Sequence, residues 1–313
     1  MVIGTGLIGT SVALALRARG ASVWLSDIDP GSAVLAAGLG AGTVVDDLRD
    51  ARDVADVAVL AMPPDAVGPM LARSQDAAVA RVYTDVASVK ALPAARAREM
   101  GCDLDSYVPG HPLAGRERHG PAAARPDLFL GRTWALCPLP ETSPSAVAEA
   151  SALARACGAE VVVTDPATHD RWVALVSHAP HVVSSAMAAR LAAGPVPGDP
   201  VSGDSVSGDP VPGDAASRGA APGNAVSGDA LRLAGQGLRD VTRIAAGDPA
   251  LWTQILSANA GPVAEVLAAV ANDLAAASEA LAAAASGSPA ASGPVSPASV
   301  PGSSVSPASV PGS

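Results

Sequence analysis

The sequence has few aromatic residues and a shortage of positive charge. Aromatic residues make up 2% of the 313 residues, so any core must be built from alanine, valine and leucine. The formal net charge is −10 and the isoelectric point is about 4.8. An acidic chain of this kind cannot neutralise a nucleic-acid backbone, which excludes nucleic acid as a partner.

Cysteine is scarce as well, with only Cys102, Cys137 and Cys157 in the chain. Their odd number and the lack of a CxxC pair disfavour a disulfide framework or a zinc site. We therefore expect reduced thiols in a cytoplasmic protein. The first residues contain no basic segment, and no apolar run reaches the roughly 18 residues of a membrane span. Neither a signal peptide nor a membrane partner is expected.

Short apolar runs alternate with alanine-rich stretches over residues 1–165, a pattern typical of an α/β domain with a mostly parallel sheet. The predicted helix is Ile8 to Arg19. The predicted strands are Val2-Ile3, Ser22 to Ser26, Val57 to Ala61, Arg81 to Asp85, Thr133 to Cys137 and Glu160 to Val163.

Helical periodicity replaces this alternation over residues 166–285, which predicts an all-helical second domain. The predicted helices are Asp170 to Ala193, Leu231 to Ala246 and Leu251 to Ala285. A low-complexity loop at 194–229, with a VPGDP-like repeat, interrupts this domain, and a Pro/Gly/Ser-rich tail at 286–313 is expected to be disordered. The repeat lacks the nonapeptide pattern of calcium-binding repeats.

A glycine motif, GTGLIG, lies directly after the first predicted strand and opens the first helix. Gly4 suits the tight turn, Gly6 allows the backbone to approach a pyrophosphate, and Gly9 allows close packing of helix on strand. With Leu7 and Ile8, the loop would offer backbone N–H groups to phosphates. The sequence thus predicts a dinucleotide-binding domain, a Rossmann-like fold, over residues 1–165.

Asp27 closes the second predicted strand, eighteen positions after Gly9. A carboxylate there accepts hydrogen bonds from ribose hydroxyls and repels a 2′-phosphate, so NAD is favoured over NADP. The first strand has only three residues before the glycine loop, fewer than the usual five or six.

Two further motifs end predicted strands or short apolar segments, where ligands bind in such sheets. The first is TDVASVK, Thr84 to Lys90, in which Ser88 is a candidate site residue, a helix cap, or both. The second is GHPLAGRE, Gly110 to Glu117, in which His111 lies in a loop between glycine and proline and is a candidate acid–base group.

In this order and spacing, these motifs resemble those of the prephenate dehydrogenases. The resemblance continues through Thr168-His169-Asp170, VSHAPH at Val176 to His181, LRDVTRIA at Leu238 to Ala245, and DPALW with Asn259. It covers residues 2–280 apart from the repeat. The chain departs from the family at the short first strand, at Ala87, where many relatives have glycine, and in the absence of a regulatory domain after the helical one.

The resemblance implies a cytoplasmic homodimer that converts prephenate and NAD⁺ to 4-hydroxyphenylpyruvate, CO₂ and NADH in tyrosine biosynthesis. It implies His111 as the catalytic base, Ser88 beside it, and His181 and Arg243 at the substrate, with supporting substrate-site roles for His169 and His178. A surface ion pair with Asp240 or Glu117 is the alternative for Arg243. His178 and His181 share a helix face, but no carboxylate or cysteine completes a metal site.

Three other functions stay open. Arogenate differs from prephenate only in its side chain, and no residue decides between them. A 3-hydroxyacid dehydrogenase is disfavoured by the HPLAG and VTRIA segments. A non-catalytic NAD-binding protein would not need Ser88, His111, His181 and Arg243 together.

Overall fold

The computed structural model describes residues 1–51, 55–115, 119–192 and 233–286. Six parallel strands form the main sheet in the order β3-β2-β1-β4-β5-β6. They are β1 (Val2–Ile3), β2 (Trp24–Ser26), β3 (Thr43–Val44), β4 (Ala55–Leu60), β5 (Ala80–Asp85) and β6 (Tyr107–Val108). This confirms the predicted Rossmann-like parallel sheet, although the two-residue strands β3 and β6 were not predicted.

Helices join the strands and cover the sheet. They are α1 (Leu7–Arg17), α2 (Pro30–Gly38), α3 (Pro64–Asp76), α4 (Ala91–Glu99) and α5 (Pro144–Ala156), with 3₁₀ turns at Leu48–Ala51 and Pro121–Ala123. Proline at the first position of α2, α3 and α5 suits a helix start, because its missing N–H would have no partner there.

Two aliphatic clusters pack on opposite faces of this sheet, as the composition predicted. Adjacent residues of a strand alternate between them, so Val2 and Val59 belong to one cluster while Ile3 and Leu60 belong to the other. β1 has only two residues but lies at the centre of the sheet, paired with both β2 and β4. The nucleotide motif that follows β1 is therefore held at mid-sheet.

A second, three-stranded sheet consists of β7 (Gly110–Pro112), β8 (Thr133–Leu136) and β9 (Glu160–Val163). β7 runs antiparallel to β8, and β8 runs parallel to β9. His111 was predicted in a loop, but it lies at the centre of β7, paired with Ala135. Its backbone is thus held by a strand.

Only helices are found in the described residues after Val163. They are α6 (Pro166–Val173), a π-helical segment (Ala174–His178), α7 (Ala179–Ala192), α8 (Gln236–Arg243), a 3₁₀ turn (Ile244–Ala246), α9 (Pro249–Ala258) and α10 (Ala260–Ala285). The single helix predicted from Leu251 to Ala285 is two helices, because Asn259 leaves helical geometry. The repeat and the tail lie outside the described residues.

Contacts divide the chain into two compact units, residues 1–266 and 267–313. The described part of the second unit is the end of α10. By length and composition alone, α10 is long and apolar enough to cross a membrane, because an 18-residue window within its 26 residues has a mean hydropathy of 1.4. Glu265, Asp273 and Glu279 interrupt its apolar residues, which is why the sequence shows no uninterrupted apolar run of that length. A single such helix is weak evidence for a membrane. The functional division between 1–165 and 166–285 stays a prediction.

Candidate active site

A cavity of about 330 Å³ lies at the carboxyl ends of β1, β4 and β5, where parallel α/β sheets bind their ligands. We call it the His111 cavity. Both the glycine loop and the predicted catalytic residues Ser88 and His111 line it. The other lining residues are Ala61, Met62, Pro63, Pro64, Val86, Ala87, Pro112, Gly115, His119, Gly120 and Leu251.

The three glycines of the motif are required for different reasons. Gly4 has φ +97°, and a Cβ there would overlap the backbone of Ala61. A Cβ on Gly9 would overlap the carbonyl oxygen of Gly4, because α1 packs directly on the loop. A Cβ on Gly6 would meet no protein atom within 4 Å. Gly6 therefore leaves space on the cavity side of the loop.

Asp27 lies at the end of β2 and holds the glycine loop. Its Oδ2 accepts hydrogen bonds from the backbone N–H and, at 2.8 Å, from the hydroxyl of Thr5. Its Oδ1 accepts from the N–H of Asp29 at 2.9 Å. A carboxylate has about four acceptor positions, so one is left for a ligand hydroxyl. The Thr5 contacts were not predicted.

His111 is 8% exposed, and one of its ring nitrogens is already occupied. Nδ1 lies 2.9 Å from Nε2 of His169, which leaves Nε2 as the free nitrogen of a residue that lines the cavity. Burial, reinforced by His169, Lys90 and His178, holds the pKa of His111 well below its ordinary value of 6.5. The imidazole is therefore neutral near pH 7 and able to accept a proton.

Asp170 connects this pair to helix α4. Its Oδ1 lies 2.8 Å from Nδ1 of His169 and accepts the N–H of Lys90, while Oδ2 accepts the N–H of Ala91. The alternative role of Ser88 as a helix cap is thus wrong, since the first turn of α4 is capped from α6 by Asp170.

A buried ion pair lies beside His111. The ammonium of Lys90 and the carboxylate of Asp85 are both fully buried and in contact, and Lys90 also donates to the carbonyl oxygen of Gly110. The hydroxyl of Tyr107 donates to Asp85 at 2.7 Å, and burial raises the pKa of this phenol well above 10.0. These hydrogen bonds connect Asp85, at the end of β5, and Tyr107, in β6, to Gly110 of β7, the strand that carries His111.

His178 and His181 pack around one tryptophan and are not among the residues that line the His111 cavity. The ring of His181 stacks on Trp252 with centroids 3.5 Å apart, and His178 meets the same ring edge-on at 6.0 Å. His178 also contacts Asn259, with 3.1 Å between Nδ1 and Nδ2. Burial lowers the pKa of His178 to about 4 and also lowers that of His181. Both histidines are only slightly exposed, at 1% and 6%.

Arg243 lies in a different cavity, of about 600 Å³, together with Arg125 and Arg132. We call it the arginine cavity. It shares Gly115 with the lining of the His111 cavity. Asp240 hydrogen-bonds Gln236 at 2.8 Å. Glu117, the other proposed partner of Arg243, lies outside the described residues.

The structure thus places Gly6, Leu7, Ile8, Gly9, Ser88 and His111 around one cavity, with Gly4 in the same loop and Asp27 bound to it. His169 lies behind His111, His178 lies near enough to contribute to lowering the pKa of His111, and Arg243 lines the adjoining arginine cavity. His181 is not among the residues that line either cavity. Sequence reasoning did not assign Asp170, Lys90, Asp85 or Trp252 to the site. All four lie within motifs that carry the family resemblance: Asp85 and Lys90 in TDVASVK, Asp170 after His169, and Trp252 in DPALW. Among the described residues, no three potential ligands come together as a metal site.

Comparison with known proteins gives one consistent family. Residues 12–163 match the family model "Prephenate dehydrogenase, nucleotide-binding domain", and residues 165–198 and 222–288 match "Prephenate dehydrogenase, dimerization domain". The chain is 38% identical over 276 residues to the probable prephenate dehydrogenase NovF of Streptomyces niveus, covering 88% of this chain and 66% of NovF. It spans slightly less than two thirds of that relative.

The cyclohexadienyl dehydrogenase of Zymomonas mobilis is 30% identical, and the match covers 85% of this chain and 82% of that protein. Among solved structures, Synechocystis arogenate dehydrogenase superposes with a TM-score of 0.66 at 26% identity, over 91% of both chains. The prephenate dehydrogenase of Aquifex aeolicus, in complex with hydroxyphenyl propionate and NAD⁺, has a TM-score of 0.72 at 24% identity, over 91% of both chains. The latter similarity concerns the fold.

Proposed function

Since this chain belongs to the prephenate dehydrogenase family, we propose that it catalyses the NAD-dependent oxidative decarboxylation of prephenate to 4-hydroxyphenylpyruvate and CO₂. Arogenate is the alternative substrate. The observation that carries the proposal is the His111 cavity, in which a dinucleotide loop faces a buried, neutral histidine and Ser88.

The residues present fit NAD. The space left by Gly6 and the N-terminus of α1 suit the pyrophosphate, with backbone N–H groups contributed from Leu7, Ile8 and Gly9. The remaining acceptor position of Asp27 suits a ribose hydroxyl, and its charge disfavours a 2′-phosphate. When bound, NAD⁺ supplies a hydride acceptor.

His111 would take the proton of the substrate's ring hydroxyl on Nε2 as that hydroxyl becomes a carbonyl. Its lowered pKa keeps this nitrogen unprotonated near neutral pH. Ser88 lines the same cavity and can orient the hydroxyl through its own O–H.

We propose that Arg243 binds a substrate carboxylate from the arginine cavity, which adjoins the His111 cavity at Gly115. A guanidinium suits a bidentate contact with a carboxylate. For His178 and His181 we propose a supporting role, because both rings pack against Trp252, and we do not assign them a direct contact with the substrate.

The test is NADH formation by the purified protein with prephenate and with arogenate, each supplied with NAD⁺ or NADP⁺. We expect turnover with NAD⁺ and at least one substrate, and a loss of about 10²- to 10⁴-fold in kcat for His111→Asn. The variant's unfolding transition serves as the check on folding.

No turnover with any of the four pairs, from a folded protein, would leave a nucleotide-binding protein without this activity. Full turnover by a folded His111→Asn would remove His111 from the chemistry. A preference for NADP⁺ would contradict the role of Asp27.

A further inference from the structure

Three buried side chains form an unbranched chain of hydrogen bonds behind the cavity. His111 Nδ1 lies 2.9 Å from His169 Nε2, and His169 Nδ1 lies 2.8 Å from Asp170 Oδ1. His169 and Asp170 are only 2% and 3% exposed. Each ring nitrogen in the chain therefore has one protein partner, except the His111 Nε2.

The donor and the acceptor of each hydrogen bond among these three side chains can be assigned by starting from the carboxylate of Asp170. Both oxygens of Asp170 accept backbone N–H groups at the start of α4, Oδ1 from Lys90 and Oδ2 from Ala91, so both act as the acceptors of a carboxylate. An ionised carboxylate only accepts, so His169 must carry its proton on Nδ1. In a neutral His169, Nε2 is then an acceptor, and the proton between the two rings belongs to Nδ1 of His111.

We propose that Asp170 and His169 are positioning residues that hold His111 in the tautomer with Nδ1 protonated and Nε2 bare. This tautomer is the one that can accept a proton from a ligand in the His111 cavity. A single carboxylate orienting a catalytic histidine is known from hydrolase triads, and here a second imidazole extends the same connection.

The same hydrogen bonds stabilise the positive charge that His111 gains when Nε2 is protonated. When Nε2 takes a proton, the imidazolium donates from Nδ1 to His169, which in turn donates to the Asp170 carboxylate. The other titratable groups around His111 do not serve this purpose. Lys90 is a cation paired with Asp85, and His178 is a neutral imidazole that contacts Asn259. Asp170 is therefore the carboxylate that reaches His111 through hydrogen bonds.

This inference rests on the proposed function for its catalytic meaning, but its first test needs no substrate. The chain contains five histidines, so ¹⁵N spectra of histidine-labelled protein can be assigned by single substitutions, with His111→Asn identifying the His111 signals. We expect His111 with Nδ1 protonated and Nε2 bare at neutral pH. Observation of the opposite tautomer in the wild-type protein would overturn the inference.

Substitutions at His169 test the catalytic consequence. His169→Phe removes the acceptor, so we expect kcat to fall about 10²- to 10³-fold with substrate and NAD⁺ KM values little changed, and the His111 tautomer preference to be lost. His169→Gln places an amide oxygen near the position of Nε2, so it should retain the tautomer and lose no more than about tenfold in kcat. Arg171→Gln, on the exposed face of α6, is the matched control.

A His169 that only fills space predicts a different pattern. His169→Phe would then lower stability without changing the His111 tautomer, and Gln and Phe would affect kcat equally. Either result would reject the positioning role of His169 and Asp170. If the His111 tautomer is as expected but the protein turns over neither substrate, the positioning role stands and the proposed reaction fails.

Discussion

Lys90 is the only lysine among the 313 residues, and its side chain is fully buried. Burial of a charge without a partner is costly, and Lys90 meets that cost through Asp85 and the carbonyl oxygen of Gly110. Since Gly110 directly precedes His111, the ion pair fixes the backbone of the proposed base.

Replacement of Lys90 by methionine leaves Asp85 buried without its counter-charge. We expect Lys90→Met to lower the free energy of unfolding by roughly 3–5 kcal/mol. Arg96→Gln, which removes an exposed pair with Glu99, should cost less than about 1 kcal/mol. Urea denaturation of both variants provides the measurement, and equal small losses would show that the buried pair contributes little.

We expect the lowered pKa of His111 to set the acidic limit of the proposed activity. Because protonation of the native histidine is disfavoured, the neutral base persists as the pH falls below 6.5 and is lost only near the lowered pKa. The acidic limb of the kcat/KM profile should therefore lie below pH 6.5. The unfolded chain binds this proton more readily, so native stability declines below pH 6.5.

Profiles over the pH range in which the protein stays folded would check this expectation. A limb at or above pH 6.5 would mean that another group limits activity, or that His111 is more accessible to water than its 8% exposure indicates.

At the scale of elements, the glycine loop combines two kinds of constraint. Gly9 is needed for packing of α1 on the loop, whereas Gly6 has no protein neighbour that a methyl group would meet. Folding and cofactor binding therefore depend on different glycines, although both belong to one sequence motif.

Substitution by alanine should separate these constraints. Gly9→Ala should lower the free energy of unfolding by about 2 kcal/mol or more, because its Cβ overlaps the backbone. Gly6→Ala should change stability by less than about 0.5 kcal/mol yet weaken NAD⁺ binding several-fold. Denaturation and calorimetric titration would measure the two effects. Normal NAD⁺ affinity in Gly6→Ala would place the pyrophosphate elsewhere.

The π-helical segment is one of the elements that the sequence pattern did not indicate. Continuous helical periodicity was predicted from Asp170, but residues Ala174–His178 form a wider turn, as is frequent at functional sites. His178, at the end of this turn, and His181, one turn later, both contact Trp252. The shared face predicted for the two histidines is confirmed, while the partner ring lies about seventy residues later in the chain.

For the whole molecule, we propose a cytoplasmic homodimer formed through the helical region that matches the dimerization model. Leu274 and Leu281 of α10 are 62% and 72% exposed and lie two helical turns apart on one face. Exposed apolar residues of this kind mark interaction surfaces. Pairing with a second copy would account for the apolar character of α10 without a membrane.

Analytical ultracentrifugation without detergent tests this proposal. The wild-type protein should sediment at twice the chain mass of 30.5 kDa, and the double variant Leu274→Asp, Leu281→Asp should shift to monomer. Ala276→Asp, on the opposite face of α10, is the control and should remain dimeric. A monomeric wild type would contradict the homodimer, and a protein that needs detergent would favour a membrane partner.

Local patterns in the sequence determined the parallel sheet and the nucleotide loop, and they indicated His111 and Ser88 as candidate site residues, which line one cavity. Each depends on residues close together in the chain, such as the glycines of GTGLIG or the alternation of apolar runs, so periodicity and turn chemistry suffice to predict them. Aliphatic composition likewise determined the kind of core, which packs on both faces of the sheet.

Only the tertiary structure decided what stands behind His111. The contact between His111 and His169 joins residues 58 positions apart, and the bond from Lys90 to Asp170 joins residues 80 apart. No local pattern reports such distances, nor which charges are buried. The separation of Arg243 from the His111 cavity has the same origin, because cavities form between segments whose relative placement depends on packing of the whole chain.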